Sequence, residues 1–367
     1  MNTMEKFRKV KDGLFFKRQE ARGESIFVVR DPISQKYFRV GEKEHFIIQN
    51  LDGINSPQNI QQKILNEYNI NVTVTEIEEF IQKIEKLGLI EGIPVELEKK
   101  RLEFRNPFYI KIRFLDPDVV VTNLEKSLRF LFTPAFIVPS WIIIIAGVVI
   151  TAIYFPQLIN QLGILWTPVT IPIVWILMFL VSVIHELSHG IACKHFGGEV
   201  AGIGILLISF MPSLYCDISS IRLFEKRQSI LTLLAGIYSN LLLWGISAIT
   251  WLLTPSKTSV NNICLPFIFM TGLGTITNLI PLIRLDGYYI LTIWLDMPNL
   301  KEKSFKYLVS IFKKIFSVSS KKREKIKKEE RTFFIIYGVL GTIFSLFLGG
   351  AFLWWLISFF IYIIRPW

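Results

Sequence analysis

Apolar residues are spread unevenly along this chain and gather, from residue 130 onward, into long runs without formal charge. Residues 130–184, 229–256, 258–283 and 332–364 contain no Asp, Glu, Lys or Arg. About 20 consecutive apolar residues cross the hydrocarbon core of a bilayer as a helix. The pattern predicts spans over 136–155, 169–193 and 230–253, and a fourth over 263–295 that Pro281 interrupts. The terminal run, 332–364, holds Gly349-Gly350 near its middle and reads as one long helix or a tight hairpin, giving five or six spans in all. A shorter apolar run, 200–216, contains Gly202, Gly204 and Pro212, which suit a re-entrant strand or loop better than a straight helix. Irregular backbone at membrane depth must be buried in protein or line a cavity.

Residues 1–105 follow a different pattern, dense in both charge signs, and read as a small soluble domain. Residues 25–29 and 37–40 are rich in strand formers, with a turn at Asp31-Pro32 between them. A helix is expected over 42–50. Ser56-Pro57, a cap followed by proline at the first helical position, opens another to about residue 68. Thr75 is expected to cap a third, with Ile77, Phe80, Ile81 and Ile84 on one face. A hairpin plus three helices describes an α+β, winged-helix-like domain. The order predicted is this domain (1–105), a connector (106–133), a membrane core (134–297), a basic amphipathic segment (298–331) and the terminal span or spans (332–367). The fold class is therefore a polytopic α-helical membrane protein with a small N-terminal α+β domain.

Charge orients this arrangement. Only 19% of residues are charged, against about 25% in a soluble chain. The charge-dense N-terminus has no apolar core ahead of a small-residue cleavage site, so these residues are not expected to be a secretory signal. Residues 156–167 carry no Lys or Arg, whereas the next turn holds Lys194, Arg222, Lys226 and Arg227. Residues 301–331 hold 12 Lys or Arg against 4 Glu. Positive charge marks the cytoplasmic side, so the N-terminal domain is expected to be cytoplasmic. In the basic segment Phe305, Leu308, Ile311, Phe312, Ile315 and Phe316 alternate with lysines, which suits an anionic lipid surface. The net charge of +11 has this membrane cause, and nucleic acid is not expected as a partner. The helix around residues 75–87 carries Glu76, Glu78, Glu79 and Glu85, not the basic face that DNA requires. Cys193, Cys216 and Cys264 form no CxxC pair and no disulfide framework.

Chemistry concentrates in the second span, in His185-Glu186-Leu187-Ser188-His189. Side chains at i and i+4 lie one above the other on a helix face. Both imidazoles can then reach one zinc at about 2.0–2.1 Å. Glu186 is placed to act as general base toward a metal-bound water, whose pKa zinc lowers to about 7. Ionisable groups inside a span are costly and mark function by default.

A catalytic zinc takes a third protein ligand, and four residues are candidates. Cys193 continues the i, i+4, i+8 series, but at 1.5 Å per residue it stands about 12 Å along the axis from His185. His195 has the spacing of the soluble metzincin signature, but Ala192 stands where that signature needs a glycine to turn back. His195 therefore reads as an interfacial residue. Asp217 closes the re-entrant stretch and remains a candidate. Asp286 is the strongest, because Pro281 frees backbone just before it and Gly287 follows it, as suits a helix broken at a site.

The His185-Glu186-His189 helix, followed by Asn278, Pro281 and Leu285-Asp286-Gly287, resembles the site-2 protease family of intramembrane zinc proteases. The resemblance covers residues 171–295. It implies that His185, His189 and Asp286 bind one zinc ion per chain and that Glu186 is the catalytic base. Ala235-Gly236 and Asn240 resemble the family's third-span motif, with Ile237 where proline is usual; Asn240 and Asn278 are then expected to position substrate. The 200–216 stretch resembles the family's membrane-embedded strands, which hold substrate extended. Residues 25–93 are similar to the PqqD-like leader-peptide recognition element, in which a peptide adds as a strand to the hairpin edge. Together the two resemblances imply a bacterial plasma-membrane protease that matures a ribosomally made precursor peptide, such as a bacteriocin precursor. Its partners would be the precursor or its leader, membrane lipids and a peptide exporter. Regulated proteolysis of a signalling membrane protein, or a non-catalytic peptide-binding scaffold or immunity protein, are the alternatives.

Overall fold

The structure, a computed structural model, describes residues 7–21, 23–92, 102–106, 109–115, 117–163, 167–168, 170–208, 211–256, 258–315 and 328–364. The chain divides into two compact units, each discontinuous in sequence: Met1–Arg129 with His189–Ser229, and Phe130–Ser188 with Ile230–Trp367.

The first unit opens with an antiparallel sheet of β1 (Phe15–Ala21), β2 (Glu24–Arg30) and β3 (Tyr37–Gly41), in that order. The sequence predicted only the hairpin β2–β3. β1 was hidden because its centre, Lys17-Arg18-Gln19-Glu20, is polar and breaks the strand signature. It pairs with β2 from Phe15↔Arg30 to Ala21↔Glu24, and Gly23, at φ +74°, makes the connecting turn that an L side chain would strain. Helices α1 (Glu42–Gln49), α2 (Pro57–Tyr68) and α3 (Val74–Lys86) follow. Ser56 Oγ accepts from the Asn59 N–H at 3.2 Å, with Pro57 in the first turn, as expected. The cap of α3 is Thr73, not Thr75. Thr73 Oγ1 accepts from the Glu76 N–H at 3.2 Å, and the Glu76 carboxylate accepts from the Thr73 N–H at 2.9 Å. A capping box needs a Glu three residues after the cap; Thr73 has Glu76 and Thr75 has Glu78, and it is the Thr73–Glu76 pair that closes the box. The bond from Thr73 holds the Glu76 carboxyl below its usual range. Ile77, Ile81 and Ile84 of α3 meet Ile60, Ile64, Phe46 and Leu89 in one core. Burying each such side chain fully is worth about 1.5–3 kcal/mol.

The same unit contains a second antiparallel sheet, in the order β4 (Leu102–Asn106), β5 (Tyr109–Leu115), β6 (Gly202–Ile208), β7 (Met211–Asp217). The stretch expected as a re-entrant strand or loop is the hairpin β6–β7, in register from Gly202↔Asp217 to Ile208↔Met211. β5 joins it from Tyr109↔Ile208 onward. The expected connector therefore holds a strand, then helix α4 (Asp118–Leu128). Asp118 ties α4 down: its carboxylate accepts from the Val200 N–H at 2.8 Å and from Lys194 Nζ at 2.6 Å. The N-terminal sheet is tied to the same segment. Arg30 pairs with Glu199, and Gln19 Nε2 donates to the carbonyls of Arg222 and Phe224, both at 3.0 Å.

The second unit is helical: α5 (Pro134–Ile153), α6 (Phe155–Asn160), α7 (Thr170–His195), α8 (Lys226–Leu253), α9 (Ser259–Leu279), α10 (Asp286–Trp294), α11 (Leu300–Ile315) and α12 (Lys328–Ile364). The last residues of α7 and the first of α8 belong to the first unit. Among the described residues five helices are long and apolar enough to cross a membrane: α5, α7, α8, α9 and the Glu330–Trp354 part of α12. The terminal run is one helix, and Gly349-Gly350 do not turn it into a hairpin. In lipid a backbone group released from a helix finds no water, which outweighs the roughly 1 kcal/mol each glycine costs. α5 and α8 approach through Gly147 against Gly245, a close fit of small residues typical of membrane helices. Trp244 Nε1 donates to Thr151 Oγ1 at 2.9 Å across this contact, and Ser140 bonds Tyr238. The fourth expected span is divided as Pro281 demands: α9 stops at Leu279 and α10 starts at Asp286. α10, α11 and α12 share a core of Tyr288, Met297, Leu300, Phe334 and Tyr337. Of the expected basic segment, α11 is described, with Lys303 and Lys306 exposed; residues 316–327 lie outside the described residues.

Candidate metal centre

Helix α7 is apolar and largely exposed until it reaches His185. From there its polar residues turn inward: His185 is 7% exposed and His189 3%. The helix runs unbroken through both, so the i, i+4 spacing places the two rings on one face. Such polarity inside a span must be paired or must bind something.

Asp286 arrives from the break between α9 and α10. Proline disfavours helix in the residue before it, and Ile280 is accordingly extended at φ −68°, ψ 115°. The chain crosses residues 281–285 and re-enters helix with Asp286 as its first residue. A carboxylate there lies at the positive end of the helix dipole. Gly287 is required by a close approach. A Cβ on it would meet the carbonyl oxygen of Leu279 at 2.6 Å and that of Asn278 at 2.7 Å. Without glycine, α10 could not start so close to the end of α9.

His185 Nε2 and Asp286 Oδ2 are 3.1 Å apart. Among the described residues, the cluster of His, Cys, Asp or Glu placed to share an ion is His185, His189 and Asp286, whose ligand atoms all lie within 4.8 Å of one another. Donors about 2.1 Å from a tetrahedral zinc sit about 3.4 Å apart, so small side-chain adjustments suffice. Two imidazoles and a carboxylate suit zinc and leave a fourth position for water or substrate.

The other candidates go elsewhere. Asp217 closes β7 and its Oδ1 accepts from the N–H and hydroxyl of Ser219 at 3.2 and 2.6 Å. His195 Nδ1 lies 3.1 Å from Glu125 Oε1. Cys193 is buried against Ser220 Oγ at 3.2 Å. Glu186 is half-buried on α7 between the two histidines. Asn240, on α8, is 2% exposed, and its Oδ1 has no hydrogen-bond partner among the described residues. Ile237 lets α8 pass unbroken where a proline would have bent it. Asn278 sits half-buried in the last turn of α9.

Sequence reasoning missed the groups that hold the 281–285 crossing in place. Tyr337 Oη donates to the Pro281 carbonyl at 2.9 Å, Lys301 Nζ donates to the Leu282 carbonyl at 3.3 Å, and Arg284 pairs with Glu302. Its one available signal was a tyrosine and a lysine close to apolar runs, which is too common to be informative.

The chain is 27% identical over 128 residues to "Putative peptide zinc metalloprotease protein YydH" of Bacillus subtilis (strain 168), a match covering 34% of this chain and 49% of that protein. The chain thus matches about half the length of this curated relative. No family model matches the chain, and no solved structure matches it. The printed name describes that relative as a peptide zinc metalloprotease; in this chain the His185, His189 and Asp286 donor set fits zinc by its own chemistry.

Proposed function

We propose that this protein is an intramembrane zinc endopeptidase of the site-2 protease type that trims a ribosomally made precursor peptide. The observation that carries the reading is the meeting of His185, His189 and Asp286 within 4.8 Å, with Glu186 on the same helix turn as the histidines. The three residues would hold one zinc ion per chain. When bound, zinc supplies a Lewis acid for the scissile carbonyl and lowers the pKa of water. Glu186 is the base: it removes the proton from the attacking water and returns it to the leaving amine. Asn240, whose buried Oδ1 has no donor among the described residues, accepts from a backbone N–H of the extended substrate. Asn278, in the last turn of α9, is the second positioning residue.

In this reading the N-terminal PqqD-like domain captures the precursor's leader, which adds as a strand to the β3 edge. Among the described residues β3 pairs with β2 alone. The domain lies on the cytoplasmic side of a bacterial plasma membrane, lipids surround the spans, and an exporter takes the trimmed product. The relative named as a peptide zinc metalloprotease supports the peptide as substrate.

The test co-expresses the chain with a candidate precursor and follows the peptide by mass spectrometry. Wild type yields the trimmed peptide, and Glu186→Gln leaves it at full length. Trimming that persists in Glu186→Gln contradicts the reading.

A further inference from the structure

The six residues from Ile280 to Leu285 leave helix between α9 and α10, so their carbonyls need donors from outside the two helical ladders. Two of those donors come from a distant part of the sequence. Tyr337, on α12, is 6% exposed, and its hydroxyl donates to Pro281 O at 2.9 Å. Lys301, in the first turn of α11, donates from Nζ to Leu282 O at 3.3 Å. Its backbone N–H meets the hydroxyl of Tyr288, in the first turn of the helix that Asp286 starts, at 3.4 Å. Glu302 holds Arg284. Leu282 packs on the core formed by Tyr288, Met297, Leu300, Phe334 and Tyr337.

We infer that Tyr337 and Lys301 are positioning residues for the metal centre: they fix the Pro281–Leu282 carbonyls, and through them the start of α10 and the Asp286 carboxylate. This rests on the reading of Asp286 as a zinc ligand. The α11–α12 pair is then part of the metal site's support rather than a separate membrane anchor. The path is short. Three residues separate Leu282 from Asp286, Arg284 within them is tethered to α11, and Gly287 is pressed against the end of α9. A ligand on such a crossing keeps its place only if the crossing does. Supporting partners of metal ligands typically tune affinity by about 10–100-fold.

The experiment uses the full-length chain in detergent and compares wild type, Tyr337→Phe, Lys301→Met, the double variant and a control, Ser345→Ala. Among the described residues Ser345 bonds back to Gly341 on the same helix. Tyr337→Phe keeps the ring in its core and removes only the hydroxyl, so folding is preserved. Zinc affinity is measured by competition with a chelator, and amide hydrogen exchange over residues 280–286 is followed in metal-free protein. Tyr337→Phe is expected to weaken zinc about tenfold, the double variant further, and Ser345→Ala not at all. Exchange over 280–286 is expected to speed up in Tyr337→Phe even without metal. Wild-type zinc affinity in both Tyr337→Phe and the double variant overturns the inference. If the wild type itself binds no zinc, the metal reading fails separately. The clamp is then judged on exchange alone, and unchanged exchange in Tyr337→Phe overturns it.

Discussion

In the N-terminal domain Ile60, Ile64 and Ile77 are 0% exposed, whereas on α7 Trp175, Ile176 and Phe179 stand 59%, 65% and 58% exposed. The same α7 buries His185 and His189. The first region follows the rule of a soluble core, with apolar groups inward and charge outward. The second inverts it: apolar groups face where lipid would be, and polar groups face protein. Only 17% of the apolar window of α5 and of α7 is buried, against 39% for α8 and 44% for α9. The difference teaches where to look for function. In the soluble core a buried polar residue is an exception to be satisfied, while in the spans buried ionisable residues such as His185 and His189 are where a site is to be sought.

The largest expected effect breaks the first half of the contrast. Ile64→Ala removes a fully buried side chain and is expected to cost about 2–5 kcal/mol, read as faster hydrogen exchange throughout α2 and α3 of the full chain. An unchanged exchange pattern would mean that this domain has no cooperative core. Next, Phe179→Lys places a charge on the exposed face of α7, at an expected cost of about 2.5–3.5 kcal/mol near the centre of a span. The measurement is membrane-inserted yield. Yields equal to wild type would place this face in water. A smaller effect comes from Gly287→Ala, whose Cβ collides with backbone of α9. It is expected to weaken zinc about tenfold by chelator competition, with the fold kept; unaltered affinity would mean that α10 shifts without cost to the site. Smallest is Thr73→Ala, expected to cost about 1 kcal/mol, seen as faster exchange at the first turn of α3 alone. A matching effect from Thr75→Ala would contradict the observed cap.

Legibility in the sequence followed the strength of local physics. The spans were readable because absence of charge over some 20 residues has one common cause. Ser56-Pro57 was readable because cap and proline act within one turn. The cap at Thr73 was not separable from Thr75, because Glu76 and Glu78 give both threonines the same capping-box spacing. β1 was not legible, because its Lys17-Arg18 centre looks polar and its pairing with β2 is set by tertiary context. The four-stranded sheet was half legible: 200–216 announced irregular backbone, but nothing local said that 109–115 would pair with it. Of the candidate site, His185, Glu186 and His189 stood out by spacing, and Asp286 by its broken helix. Tyr337 and Lys301 did not, because their partners are carbonyls 56 and 19 residues away.

The most direct test of the account is the zinc content of the purified full-length chain, set beside His185→Ala, Asp286→Ala and Asp217→Ala. The account predicts about one zinc per wild-type chain, lost or much weakened in His185→Ala and Asp286→Ala and retained in Asp217→Ala. A well-folded wild type without zinc, or loss of zinc through Asp217→Ala while Asp286→Ala keeps it, would contradict it.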